Sequence, residues 1–241
     1  MNPLLRLTLV CGLLSLAHGS AMAQMQPPAC PRLEKPFLRV PMVDDARTGC
    51  PFSAVIQLTT SQTLADGTHI QHNVKALVYR DSLGRIRYES YGPTDTAPSM
   101  IEIYDPVEGV SYFFLPQRAA IAYRHKLGQS AANTTVGLQD QHKTAPEPRI
   151  TGEKLEPQQL EGLLATGTRT ARTTPAGAEG NDRPLTEVRE TWRSADMGIT
   201  LLEKTSDPQK GDSERRVTNL EQTEPDPALF HVPADYAIED Q

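Results

Sequence analysis

The stretch His69-Ile-Gln-His-Asn-Val-Lys-Ala-Leu-Val-Tyr79 alternates between polar and apolar side chains. Its even-numbered positions include Ile70, Val74 and Val78, whereas its odd-numbered positions up to Lys75 are polar. Successive side chains of an extended strand point to opposite faces, so this period of two predicts a strand with one buried and one wet face.

Shorter runs of the same kind follow along the chain, bounded by turn-forming residues. They predict further strands at Ile86/Tyr88, Ile101/Ile103, Val110–Leu115, Ile121/Tyr123, Ile150–Leu155, Leu163–Thr174, Leu185–Trp192, Ile199–Lys204 and Arg215–Leu220. Helical periodicity is nearly absent, and Pro157–Leu164 is the best short candidate for a helix.

Five turn signals separate the strand-like runs. Each begins with Asp, which accepts hydrogen bonds from nearby backbone N–H groups, and ends with Gly, which adopts positive φ without steric cost. They lie at Asp66-Gly67, Asp81–Gly84, Asp105–Gly109, Asp196–Gly198 and Asp207–Gly211. Such spacing is typical of antiparallel hairpins joined into meanders.

The pattern predicts an all-β or β-dominated fold: a curved antiparallel sheet, a half-barrel-like meander with few short helices. We expect one β domain over 52–236, interrupted by a flexible loop at about 128–148, with a C-terminal tail at 237–241. Two separate sheets are the alternative, but neither half carries enough apolar residues for a comfortable core.

The N-terminus has the features of a cleavable secretory signal over 1–23. A single charge at Arg6 precedes an apolar run from Leu7 to Ala17, and Ala21-Met-Ala23 offers small residues to signal peptidase. The run is too short to span a bilayer, and no later stretch is long enough, so we expect no transmembrane segment after cleavage. The mature protein is therefore expected to be periplasmic or secreted.

A proline-rich arm at 24–51 follows the signal and contains both cysteines that remain after cleavage. Cys30 and Cys50 are expected to form a structural disulfide, because an isolated pair in an oxidising compartment most often does so. A redox or metal-binding pair is the alternative, although such pairs favour closer spacing. Asp44-Asp45 in the same arm is interpreted as a solvated turn, with weak calcium binding as the other reading.

The composition of the chain and the absence of known motifs argue against nucleic-acid binding and against several classes of enzyme. With 24 Lys and Arg against 30 Asp and Glu, the chain has no electrostatic reason to bind nucleic acid. The sequence lacks the nucleophile elbow, the zinc-protease motif and both glycine-rich nucleotide-binding motifs. We therefore predict no catalytic residue, cofactor or metal site.

The best candidates for a binding site lie in the second half of the chain. The loop 177–184 combines flexibility with the side chains of Asn181, Asp182 and Arg183, and Trp192 is the only tryptophan. These four residues are the predicted ligand site. The alternative is a wide hairpin whose Asn181 and Asp182 satisfy local backbone, with Trp192 in the core.

An ordered set of motifs resembles a group of uncharacterised secreted bacterial proteins. The set comprises Ala165-Thr-Gly-Thr-Arg-Thr170, Gly180-Asn-Asp-Arg-Pro184, Glu190-Thr-Trp192 and Glu224-Pro-Asp-Pro-Ala-Leu-Phe-His-Val-Pro-Ala-Asp-Tyr236. The closing Leu-Phe-x-Val-Pro-x-x-Tyr phrase is similar, more weakly, to the last strand of periplasmic lipoprotein-carrier and sigma-regulator half-barrels. That second resemblance implies a curved sheet around an apolar cavity.

These observations favour a non-catalytic exported protein of the envelope or periplasm. Its curved sheet would bind an apolar ligand, a lipidated peptide or a protein partner, so lipid and envelope proteins are the expected partners. Two alternatives stay open: a structural or sensory interaction module, and an envelope enzyme of unknown class using the loop 177–184. The sequence predicts no oligomeric state.

Overall fold

A computed structural model describes residues 30–34, 40–128 and 147–241. The expected signal peptide and nearly all of the expected loop at 128–148 lie outside the described residues. The strands are β1 Phe52–Thr63, β2 His69–Arg80, β3 Ile86–Ser90, β4 Met100–Asp105, β5 Val110–Phe114, β6 Ile121–Lys126, β7 Arg149–Leu160, β8 Leu163–Thr174, β9 Leu185–Ser194, β10 Ile199–Asp207, β11 Gly211–Glu221 and β12 Ala237–Asp240. A 3₁₀ turn spans Pro227–Phe230.

All twelve strands belong to one open sheet with the order β12-β6-β5-β4-β3-β2-β1-β11-β10-β9-β8-β7. Two antiparallel meanders, β1–β6 and β7–β11, are joined where β1 pairs with β11. The predicted fold class, a curved antiparallel sheet, is confirmed. Ala237–Asp240, expected as a tail, adds β12 parallel to β6.

All five predicted turns connect consecutive strands. Asp81 and Asp105 each accept two backbone hydrogen bonds through Oδ1, as predicted from their place at the start of the turn. The closing glycines have positive φ, for example 84° at Gly84 and 85° at Gly211. Local turn chemistry therefore sets the meander, as expected for hairpins of this kind.

The prediction of a helix at Pro157–Leu164 is wrong. The segment ends β7, turns at Glu161-Gly162 and begins β8. Glu161 and Gly162 have φ of 48° and 75°, and two successive residues with positive φ are typical of a two-residue hairpin turn. Apolar residues on both arms of this tight hairpin produced the helix-like spacing.

Strand register defines two faces, since directly paired residues share a face. One face carries Ile56, which pairs with Ala76 and Val217. It is called the groove face here, because the groove described below lies on it. The opposite face carries Leu202, which pairs with Trp192. Both faces contribute to the main core, so each is partly buried.

The N-terminal arm, whose described parts are residues 30–34 and 40–51, packs against the sheet. Val43 bridges to Ile199, and the Asp44 N–H donates to the Gly198 carbonyl oxygen at 2.9 Å. In turn the Thr200 N–H donates to the Met42 carbonyl oxygen at 2.9 Å. This part of the proline-rich arm therefore lies alongside the start of β10.

The predicted disulfide is present, and a buried arginine fastens the arm beside it. Cys30 and Cys50 are bonded, with Cα atoms 5.8 Å apart. The Arg80 guanidinium is fully buried and donates to the carbonyl oxygens of Cys50 (3.0 Å) and Met197 (2.9 Å). It lies 4.7 Å from the centre of the Phe52 ring. Burial lowers the pKa of Arg80 to about 10, because an apolar surrounding disfavours its charge.

Replacing both Cys30 and Cys50 with serine should lower the free energy of unfolding by about 3 kcal/mol, because the bond constrains a loop of 20 residues in the unfolded chain. Urea denaturation of the oxidised protein and the double variant measures this difference. Adding reductant to the wild type should bring it to the stability of the variant. Coinciding curves for oxidised wild type and variant would contradict the stabilising role.

Arg80→Met should lower the free energy of unfolding by about 2 kcal/mol, because two carbonyl oxygens lose their donors. Arg183→Met is the matched control: its side chain is 87% exposed, so stability should change by less than about 0.5 kcal/mol. Thermal and urea denaturation compare the two variants. Equal stability of both would show that Arg80 does not hold the arm.

Candidate functional site

A groove of about 960 Å³ lies on the groove face where β1, β11, β10 and β9 run side by side. Residues Val40–Asp44 of the arm form one wall. The floor carries mainly polar side chains: Thr60, Glu187, Arg189, Arg193, Glu203, Thr205, Asp207, Ser213 and Arg215. Among the described lining residues there is no histidine, cysteine or aromatic side chain.

The charges of the groove are arranged in pairs across and along the strands. Arg215 Nη1 lies 3.2 Å from Glu203 Oε1, and these residues are direct partners in the β10–β11 register. The other close pairs are Arg189–Glu187 at 3.2 Å, Lys210–Asp207 at 3.3 Å and Arg193–Asp44 at 3.8 Å. Because each cation faces a carboxylate, the floor offers alternating donors and acceptors rather than a field of one sign.

Asp44 joins the arm to this floor. Its Oδ1 accepts a hydrogen bond of 2.8 Å from the Thr200 hydroxyl, and the Arg193 guanidinium lies beside it. Burial raises the pKa of Asp44, and the Thr200 hydrogen bond and the Arg193 charge only partly oppose that effect. Asp44-Asp45, expected as a solvated turn, is exposed at Asp44 and bends at Asp45, but its side chains are not merely solvated: Asp44 lines the groove, and Asp45 Oδ1 accepts from Arg47 Nε at 2.6 Å.

Two smaller cavities adjoin the groove on the same face. One, of about 340 Å³, is lined by Ile150, Thr170 and Arg172, and shares Glu187 and Arg189 with the main groove. The other, of about 120 Å³, extends to Glu179 in the loop 177–184 and to Leu185 directly after it. The depression therefore reaches from the arm to the β8–β9 loop and to the outermost strand, β7.

The structure does not bring the four predicted site residues together. Asn181 shapes its own loop: Nδ2 donates to the carbonyl oxygens of Pro175 and Arg183, and Oδ1 accepts from the Glu179 N–H. Asp182 and Arg183 are exposed, with side chains 3.9 Å apart. Trp192 is buried on the opposite face.

Trp192 packs against a glycine that leaves room for it. A side chain at Gly167 would place its Cβ 2.6 Å from Trp192 Nε1, so only glycine fits under the indole. The indole N–H has no hydrogen-bond partner among the described residues. Its position fits the core interpretation of this residue rather than a ligand contact.

The chemistry of the groove differs from the apolar cavity that the half-barrel resemblance implies. Its apolar lining comes from the arm, through residues such as Val40 and Met42, while its floor is charged. Sequence inspection missed Glu187, Arg189, Glu203 and Arg215. The sequence does show charged residues at alternating positions of the strands β9, β10 and β11. Only the strand register shows that these charged residues lie next to one another.

Within the described part of the chain, no helix is long and apolar enough to cross a membrane. The same residues contain no group of three or more His, Cys, Asp or Glu placed to hold a metal ion.

No protein-family model and no curated protein matches this chain. Solved structures with a similar fold include an uncharacterized conserved protein from Thermus thermophilus, with 13% identity, a TM-score of 0.44, and coverage of 80% of this chain and 91% of that one. MucB has 13% identity, a TM-score of 0.41, and coverage of 80% and 60%. A LolA superfamily protein from Nitrosomonas europaea has 10% identity, a TM-score of 0.36, and coverage of 78% and 94%.

The similar structures thus include a LolA superfamily protein and MucB, in agreement with the weaker resemblance. At these identities and TM-scores, the likeness carries no argument about ligand, partner or activity.

Asp44→Asn should stabilise the protein at neutral pH. The folded-state pKa of Asp44 is raised, so folding favours the neutral carboxyl, and the wild type loses stability as pH rises through that pKa. The advantage of the variant should therefore disappear as the pH falls below 3.8, where the carboxyl is protonated in both states. Urea denaturation across this pH range measures the difference.

Asp66→Asn is the control of opposite sign. A backbone hydrogen bond from Thr68 lowers the pKa of Asp66, so its stabilising contribution is present at neutral pH and is lost on acidification. This variant should be less stable than the wild type at neutral pH. If both variants shifted stability in the same direction, burial would not be the dominant effect at Asp44.

Proposed function

We propose that this chain is a non-catalytic, exported binding protein of the bacterial envelope that holds an extended, polar segment of a partner protein in the groove. The observation that carries the proposal is a large groove whose floor is built from paired charges and hydroxyl groups. The arm forms its wall, and Glu179 of the loop 177–184 borders the adjoining cavity.

The floor favours a polar occupant over an acyl chain. Covering Arg189, Glu203 or Arg215 with hydrocarbon would remove charged groups from water without replacing their hydrogen bonds, which costs several kcal/mol. An extended peptide offers a backbone N–H and C=O at every residue, and these groups can bond to both members of each ion pair. A lipid-free peptide therefore fits the groove better than the lipidated one.

The same pairing argues against a strongly charged ligand. Each cation of the floor already has a carboxylate near it, for example Arg189 beside Glu187 and Lys210 beside Asp207. A highly anionic or cationic segment would have to break these pairs. A segment of mixed or neutral charge can bind without doing so.

The loop 177–184 is proposed as part of the rim rather than as a catalytic loop. Asn181 fixes the loop conformation, while Asp182 and Arg183 project from it and are free to contact a bound segment that leaves the groove. Trp192 supports the sheet from the opposite face.

A photo-crosslinking side chain tests the occupant directly. A benzophenone amino acid at Thr205, on the groove face, should crosslink in the native envelope to a polar segment of another protein. The same amino acid at Ser206 should not, because consecutive residues of β10 point to opposite faces. Mass spectrometry of the adduct identifies what was bound.

A charge change in the groove provides a second test of the same proposal. Glu203→Lys breaks the pair with Arg215 and should reduce the yield of the Thr205 adduct severalfold, whereas Lys204→Glu on the opposite face should leave it unchanged. A lipid adduct at Thr205, equal crosslinking at both positions or no adduct at Thr205 would contradict the proposal.

A further inference from the structure

The outermost strand β7 presents an open edge. Among the described residues β7 pairs only with β8, and its positions from Arg149 to Lys154 are all exposed. Ile150 is 69% exposed, although it lies on a strand of the main sheet. An unpaired strand edge of this length is a template for another strand, because its outward N–H and C=O groups lack partners.

Among the described residues, the features that block edge pairing lie in the second half of this edge. The β7–β8 register is interrupted between Leu155 and Gln158, and Pro157 within that bulge has no N–H to donate. Bulges and prolines are common devices for blocking edge pairing. The first half, Arg149–Leu155, has a regular register and carries neither device.

We propose that the first half of β7 pairs in antiparallel fashion with the same segment of a second copy, around a two-fold axis at Thr151. In this register Arg149 lies opposite Glu153 of the other copy, twice per dimer, and Ile150 lies opposite Gly152. The two sheets then form one continuous sheet.

Charge complementarity supports this register. On the opposite face, signs alternate across the neighbouring strands: Glu153 on β7 contacts Arg169 at 2.5 Å, and Arg169 contacts Glu190 at 2.6 Å. The series continues with Lys204 and Glu214, 3.8 Å apart. Arg149 of the second copy adds the next positive charge beside Glu153. Among the described residues Arg149 has no ion-pair partner of its own.

Shape complementarity on the groove face points the same way. Gly152 has space above it, because a Cβ placed there would have no neighbouring atom closer than 3.7 Å, and the exposed Ile150 of the second copy covers it. Shifting the axis to Gly152 would instead set Ile150 against Lys154 and Arg149 against Leu155. The axis at Thr151 therefore brings opposite charges together on one face of the edge and places Ile150 over Gly152 on the other.

Sedimentation velocity on the full chain tests the association. The wild type should form a dimer, and either charge reversal, Arg149→Glu or Glu153→Arg, should weaken dimerisation by about tenfold or more, since each creates two like-charge contacts. Mixing the two variants should restore a dimer, because one copy then carries acidic side chains at both positions and the other carries basic side chains at both. A loss of fold in either variant would not be repaired by mixing.

Thr151→Cys supplies a readout that does not depend on charge. Residues at a two-fold axis within an antiparallel pair lie close enough for a disulfide, so this variant should form a covalent dimer under mild oxidation. Thr168→Cys is the control: Thr168 is exposed but lies on β8, which is paired on both sides, so this variant should associate like the wild type without forming a covalent dimer. A monomeric wild type, unaffected charge variants, failure of the mixture to associate or equal crosslinking of both cysteine variants would overturn the proposal.

Discussion

The pairing of β1 with β11 is the constraint on which the rest of the molecule depends. The two strands are far apart in sequence, yet they align from Ser53 opposite Glu221 to Ser61 opposite Asp212. This seam turns two meanders into one twelve-stranded sheet and removes two long edges that would otherwise be open. It also creates the groove, because Thr60 on β1 and Arg215 on β11 belong to the same floor.

The arm is fixed on both sides of this seam. Val43 and Asp44 hold it to β10, while Cys50, which leads directly into β1, bonds to Cys30. Arg80 on β2 connects the two sides through the carbonyl oxygens of Cys50 and Met197. The contacts that stabilise the junction therefore also hold the wall of the groove, Val40–Asp44, in place.

The sequence predicted local features well and distant ones poorly. The alternation in His69–Tyr79 and the Asp–Gly turns depend on neighbours in the chain, and they gave the strands and hairpins correctly. The hairpin at Glu161-Gly162 was mistaken for a helix because its two apolar arms mimic helical spacing. The groove could not be predicted, since Glu203 and Arg215 become a site only through the β10–β11 register and the docking of the arm.

Native-state hydrogen exchange tests the central claim most directly. If the seam makes one cooperative sheet, the amides of Val55–Ser61 in β1 and Asp212–Thr218 in β11 should exchange with the same free energy, that of global unfolding. The amides of Val43 and Asp44 in the arm and of Thr200 in β10 should be protected as well, because their N–H groups donate hydrogen bonds at the same junction. Exchange of β11 with a clearly lower free energy than β1 would show that the meanders open independently, and would contradict this account.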